Sequence, residues 1–452
     1  MKRCRLLIGF PLPFLFSFLL LVSPAMADGG TETRQVDHKA GWHLRALNMG
    51  GNWGLTSLIN WGVDPPSADY LAFLDRIDAN WVGISVSLHI DSSLDSSVER
   101  IYSGVDIPTF SDQALTVMIE TLHSHGFKVF LTLAFDFDPP VEFPVKRWQL
   151  GDPKMPSEDP SILPENWPWA LDHPNHTSFV TGFWQTYTEQ AVYFATLAES
   201  LGVEMYSLGT ETERLFRSRS GGYWPNHFGA ELTTMVISVR AVYSGLLTYD
   251  MHYDALTPGY LGPGSDHLWE DLGLDVVGVS AYFPLVLTMP TTVLSVAELE
   301  TSWQQVFADL LVPLRTRNPL LPIVLLEFGY VDAIESPYQP AYRNFTPWIF
   351  TDNNGNSLDD SQETQANIYQ AFFNVNEQNS DLISGTFLWG HDWGSDDDWA
   401  QGFGKLHGFA IRDKLAEAVV AAQYASYLIF IDGFESRNTS AWSSTTGGGD
   451  PK

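Results

Sequence analysis

Two glutamates at the ends of apolar runs carry the clearest chemistry in this 452-residue sequence. Glu327 ends the run in PIVLLEFGY (Pro322 to Tyr330), and Glu211 ends the run in VEMYSLGTETE (Val203 to Glu213). A continuous apolar or β-branched run reads as a strand buried on both faces, as in a parallel sheet covered by helices. The carboxyl ends of such strands open onto the ligand crevice. Two carboxyls that meet there can cleave a glycosidic bond: one protonates the leaving oxygen while the other attacks the anomeric carbon or activates water. Retention of configuration asks for carboxyls roughly 5 to 5.5 Å apart, a gap that opposed strand tips of a barrel can supply. Glu213 competes for the role of Glu211, because strand alternation puts both on one side. Glu211 lies nearer the strand tip and is preferred.

Positioning these glutamates requires a scaffold, and six further segments repeat the same design. WHLRALNMGGNWG ends in Asn52 and Trp53, WVGISVSLHI in His89, and FKVFLTLAFDFD in Asp136 and Asp138. GLLTYDMHYD carries Asp250, His252 and Tyr253, LDVVGVSAYFP carries Tyr282, and ISGTFLWGHDWG carries Trp389, His391 and Asp392. Between the runs lie helix-like stretches at Ser67 to Asn80, Asp112 to His125, Ser178 to Leu201, Gly229 to Tyr243, Val296 to Arg315 and Gln362 to Gln378. Ser67, Ser111 and Thr177 stand where N-caps belong. Strand-then-helix repetition of this kind predicts the α/β class, as one (β/α)8 TIM barrel over residues 41–428 with long βα loops. Asn52, Trp53, His89, Asp136, Thr210, His252, Tyr282, Trp389 and Asp392 then form the candidate substrate-binding set around Glu211 and Glu327. The connection Pro139 to Thr177, with Trp148, Trp167 and Trp169, and the loop RSRSGGYWPNHF, with Tyr223 and Trp224, offer flat rings on which sugars could stack.

Lys2, Arg3 and Arg5 precede an apolar run from Leu6 to Val22, and Ala25-Met26-Ala27 follows as a small-x-small cleavage site. This predicts a signal peptide over 1–27, then a linker over 28–40, and a chain that is secreted or held in a periplasm. The sole cysteine, Cys4, lies in that leader, so disulfides, zinc–thiolate sites and a cysteine nucleophile are excluded from the mature chain. A net charge of −30 argues against nucleic acid and anionic membrane as partners and suits a neutral ligand such as a polysaccharide or oligosaccharide. The expected chain is a monomer with no cofactor, no assigned metal ligands and no membrane association once the leader is removed.

The motifs GTE, SAY, LLEFGY and FLWG, in that order, resemble those of clan A of the glycoside hydrolases. With GGNWG near the start and EFGY on the seventh strand, the chain is most similar to glycoside hydrolase family 113, the β-mannanases, over roughly Leu44 to Tyr424. The resemblance implies a retaining barrel in which Glu211 is the acid/base and Glu327 the nucleophile. It also implies that Tyr282 hydrogen-bonds the nucleophile and that Trp389 lies under the sugar ring. One departure touches specificity: most of the clan has Asn before the acid/base, contacting the sugar 2-hydroxyl, and here Thr210 stands there. The readings kept beside a mannanase are a non-catalytic carbohydrate-binding barrel and a related β-glucanase, xylanase or exopolysaccharide hydrolase.

Two features fall outside this reading. DNNGNSLDDSQE (Asp352 to Glu363) matches an EF-hand loop at its first, third, fifth and twelfth positions, with Ser357 in place of the sixth-position glycine. An acidic turn capping the next helix explains it equally well. The tail, 429–452, resembles a short end segment of secreted bacterial proteins, GFES followed by TSAWS.

Overall fold

A computed structural model describes residues 44–49, 66–90, 95–103, 105, 108–137, 147, 150–151, 167–212, 215, 228–256, 269, 272–340, 351–390 and 408–431. Eight parallel strands close on themselves in sequence order, each paired with its neighbours and the last with the first. They are β1 (Leu44–Met49), β2 (Trp81–Ile90), β3 (Lys128–Phe137), β4 (Met205–Thr210), β5 (Leu246–His252), β6 (Val277–Ser280), β7 (Ile323–Phe328) and β8 (Gly385–Leu388). The helices are α1 (Ala68–Arg76), α2 (Asp112–Ser124), α3 (His176–Leu201), α4 (Gly229–Arg240), α5 (Val296–Val306), α6 (Val312–Arg317), α7 (Asp360–Gln378) and α8 (Leu415–Ile431). The predicted barrel is therefore present. No helix among the described residues is long and apolar enough to cross a membrane.

Strand β2 shows why one sequence serves two faces. Val82, Ile84, Val86, Leu88 and Ile90 belong to the main core between sheet and helices, while the alternate positions Trp81, Gly83, Ser85, Ser87 and His89 take the other face. Trp81, Phe130, Met205, Val276, Val324, Leu326 and Phe387 form a second apolar cluster that plugs the barrel, with Phe130 and Phe387 edge to face at 5.0 Å. Further along β3, β4, β5 and β6 the buried residues are Thr132, Ser207, Thr248 and Ser280. The barrel interior thus changes from apolar to polar towards the strand ends that carry the glutamates.

Some local expectations need correction. Ser67 and Ser111 do cap α1 and α2, accepting from the amides of Tyr70 and Ala114. Thr177 does not cap α3: the helix begins a residue earlier, at His176, behind Asn175, whose side chain makes no capping bond. The single helix expected over Val296 to Arg315 is split by a π turn at Phe307–Leu311, after which α6 starts with a proline in its first turn. Pro313 has no amide hydrogen and would clash with the preceding turn of a regular helix. Helix α8 was not anticipated, because LAEAVVAAQYASYLIFI is apolar almost all round and shows no periodic face. It runs to Ile431, past the expected start of the tail at 429. Trp167 and Trp169, read as candidate sugar platforms, are only 1 % exposed; Trp169 packs edge-on against Phe179 and Phe183 of α3. They are core residues.

Candidate active site

Both strands that bear the glutamates contain an irregularity just before the carboxyl. On β7, Val324 and Leu326 point into the barrel plug, so strict alternation would send Glu327 outward to the helices and Phe328 inward. Pairing shifts on both sides of β7, where Val279 and Ser280 oppose Leu325 and Glu327, and Leu325 and Phe328 oppose Thr386 and Leu388. The extra residue turns Phe328 out against Tyr369 and Phe372 of α7 and brings Glu327 inward. On β4 the register likewise slips between Ser207 and Thr210. Gly209 falls where a Cβ would lie 2.3 Å from the Tyr187 hydroxyl and 2.5 Å from that of Tyr249, so only glycine fits.

Glu211 leaves β4 with φ of +52°, a left-handed conformation that costs a non-glycine residue free energy and often accompanies function. Its amide donates to the Asp250 carbonyl at 2.9 Å. Because β4 ends at Thr210, the alternation that put Glu211 and Glu213 on one side does not hold, and Glu213 lies outside the described residues. Glu211 is 5 % exposed, and its carboxyl accepts from Nε of Arg147 at 3.2 Å. That arginine is itself buried, and it comes from the long connection after β3.

Glu327 is 3 % exposed, and Oε2 accepts from the Tyr282 hydroxyl at 2.9 Å. Burial and the negative charge of Glu211 push its carboxyl up to about 7, against the opposing influence of Arg147, the Tyr282 hydroxyl and His252. Each glutamate is thus felt at the other's partners, as expected of two carboxyls sharing one pocket. A third acid joins them. Asp250 on β5 is fully buried, accepts from Ser280 Oγ at 3.0 Å, and is held well above the usual carboxylate range by burial and then by the charges of Glu327 and Glu211.

The remaining predicted residues divide. Tyr282 packs against Phe409 at 5.5 Å, and Trp389, 6 % exposed, clusters with Phe409, Val331 and Ala333 beside it. His252 adjoins this group through its effect on Glu327, with Nδ1 accepting from the Asp254 amide. Thr210 is fully buried, and its hydroxyl is 2.8 Å from that of Thr132 inside the barrel. His89 is buried, its backbone bridged to Glu99, and it sits in register with Asp136 on β3. Asn52, Trp53, Asp392, Trp148, Tyr223 and Trp224 lie outside the described residues. Sequence reasoning assigned no role to Asp250, although alternation with Thr248 and His252 on β5 points it inward. It missed Arg147 altogether, since nothing in a Pro- and Trp-rich connection singles out one arginine.

The pocket wall after β7 is tied from behind. Asp332 and Lys414 form a buried ion pair at 3.0 Å, both contacting the backbone of Gly408, next to Phe409. Phe409 in turn lies where a Cβ on Gly329 would be 2.8 Å from its ring, which explains the glycine of EFGY. Breaking such a pair leaves one buried charge uncompensated, so Lys414→Met is expected to cost about 3–5 kcal/mol in denaturant unfolding. A cost under about 1 kcal/mol would show that the pair does not hold this segment.

The sequence model of Glycoside Hydrolase Family 113 matches residues 170–414. Among curated proteins none matches the sequence. Among solved structures, a family 113 β-mannanase from Alicyclobacillus acidocaldarius, in complex with ManMIm, is 18 % identical with a TM-score of 0.56, covering 86 % of this chain and 99 % of its own. A family 113 β-1,4-mannanase complex is 18 % identical with a TM-score of 0.53, covering 81 % and 97 %. At such identities the structures speak for the barrel alone. The sequence match spans more than half of the chain, including β4 to β8 and both glutamates. The protein is a glycoside hydrolase, and the chain belongs to glycoside hydrolase family 113.

Proposed function

We propose that the protein is a secreted retaining endo-β-glycosidase acting on β-1,4-mannan, with Glu327 as nucleophile and Glu211 as acid/base. The observation that carries the mechanism is the Tyr282–Glu327 hydrogen bond at the tip of β7, in a pocket shared with Glu211. A phenol donor on Oε2 steadies the carboxylate and leaves the other oxygen to attack the anomeric carbon. Glu211 protonates the leaving oxygen, then takes a proton from the water that releases the sugar. Mannan as substrate is supported by family membership and by the mannanase barrels that this fold resembles. The leader sequence and the strongly acidic composition support an exported monomer working on a neutral polymer.

One observation favours exchanged roles. Arg147 contacts Glu211 directly, while Glu327 is the carboxyl pushed up. The Tyr282 donor on Glu327 and its place on the seventh strand outweigh this, and a bound sugar would have to draw Arg147 away from Glu211 before proton transfer.

Product analysis on mannan, glucan and xylan, with proton NMR of the first anomer released, tests the reading. Short manno-oligosaccharides appearing first as the β-anomer are expected; release from glucan or xylan alone, or the α-anomer first, would overturn it. The pH profile adds a check. A nucleophile must be ionised, so kcat/KM should fall as pH drops through about 7. Tyr282→Phe removes a donor to the carboxylate, raises Glu327 further and should move that limb up by about one pH unit. A limb that stays or moves down would count against the assignment.

A further inference from the structure

The twelve-residue segment Asp352 to Glu363, between β7 and α7, does more than cap a helix. Asp352 faces inward, Oδ1 accepting from the amides of Gly355 and Asn356 and Oδ2 from Ser357. The side-chain amides of Asn354 and Asn356 both meet Glu363 Oε2, each at 2.9 Å. The third, fifth and twelfth positions of the segment therefore converge, and the carboxyl of the first lies against the backbone of the fifth. Ser357, at the sixth position, has φ of +69°, the conformation for which glycine is normally required there.

A separate observation points to a ligand. Asp360, at the ninth position, is 2 % exposed; Oδ2 accepts from the amide and side chain of Asn353 inside the loop, but Oδ1 is buried without a hydrogen-bond partner. Asp359 beside it is 4 % exposed and caps α7. Among the described residues, no lysine, arginine or histidine pairs with Asp352, Asp359, Asp360 or Glu363. Four carboxyls within twelve residues, two of them buried, thus have no compensating cation among the described residues, and a buried unpaired carboxylate is costly.

We propose that this segment binds a calcium ion through Asp352, Asn354, Asn356, the Leu358 carbonyl and Glu363, with Asp360 Oδ1 taking a hydrogen bond from a metal-bound water. The side-chain oxygens of Asn354 and Asn356 accept from the amides of Asn356 and Leu358, and the second lone pair of each is left for the ion. The donors are then all oxygen, which suits calcium, and their mixed identity explains why no cage of three or more acidic, histidine or cysteine side chains occurs among the described residues. The ion would anchor the start of α7. From the second turn of that helix Gln365 donates to the carbonyls of Tyr330, Gly408 and Phe409, tying it to the pocket wall beside Glu327.

The test is thermal unfolding of the full chain after EDTA treatment and dialysis, followed by addition of calcium chloride or magnesium chloride at about 1 mM. Calcium at about a hundred times its dissociation constant is expected to raise Tm by about 3–5 °C, and magnesium by less than half of that. Glu363→Gln should weaken calcium at least about tenfold in calorimetric titration while leaving the metal-free Tm nearly unchanged. Ser357→Gly removes the left-handed strain and should retain the calcium shift with a higher Tm. Asn356→Ala serves in place of Glu363→Gln if that variant fails to fold. Equal Tm with calcium and EDTA, equal shifts with the two metals, or an undiminished shift in Glu363→Gln would each overturn the site. None of these readouts involves glycosidase activity, so the proposal stands or falls apart from the function proposed above.

Discussion

Replacing Glu327 by Gln is expected to abolish hydrolysis of mannan, with kcat lowered by at least about 10⁴-fold, while the protein still binds manno-oligosaccharides. The amide fills the same volume and can still accept from the Tyr282 hydroxyl, so the pocket should survive. What disappears is the negative oxygen that attacks the anomeric carbon. Binding persists because ground-state contacts to the sugar do not require that charge. Turnover with oligosaccharide affinity measured side by side decides the matter. Hydrolysis at the parent rate would remove Glu327 from the chemistry, and loss of both binding and thermal stability would mark it as structural.

Glu211→Ala is expected to be nearly as damaging on mannan, by about 10³–10⁴-fold, but selective in a way Glu327→Gln is not. An acid matters only when the leaving group needs a proton. On a dinitrophenyl glycoside, whose phenolate departs unaided, the first step should stay fast in Glu211→Ala, giving a burst of phenolate followed by slow turnover as the glycosyl-enzyme waits for a base. The same substrate separates the two role assignments. If Glu327→Gln gave the burst and Glu211→Ala gave none, the roles would be exchanged, as the contact of Arg147 with Glu211 taken alone would suggest. Because Glu211 holds its carboxyl on left-handed backbone, Glu211→Ala also keeps that strain, so the comparison isolates the side chain.

The barrel was readable along the chain because each strand is an apolar run and most helices carry a period, patterns set by which faces meet the core. Glu211 and Glu327 stood out for the same reason, as charges at the ends of segments otherwise built for burial. Helix α8 escaped because it is apolar all round, and Trp167 and Trp169 were misread because a tryptophan in a long connection looks the same whether it lies in the core or on a rim. The orientation of the carboxyls was beyond reach of any periodicity. Strict alternation on β7 would have buried Phe328 in the barrel and sent Glu327 towards the helices; the extra residue in that strand reverses both. Arg147 and Asp250 meet the pair only through space, one from a connection without a pattern and one from the neighbouring strand. Residue order by itself determined the strands, most of the helices and the two glutamates proposed as the acids, since those follow from local burial. Bulges, a left-handed turn and the charges gathered around the pocket were decided only by the closed barrel, because they depend on how strands register against one another.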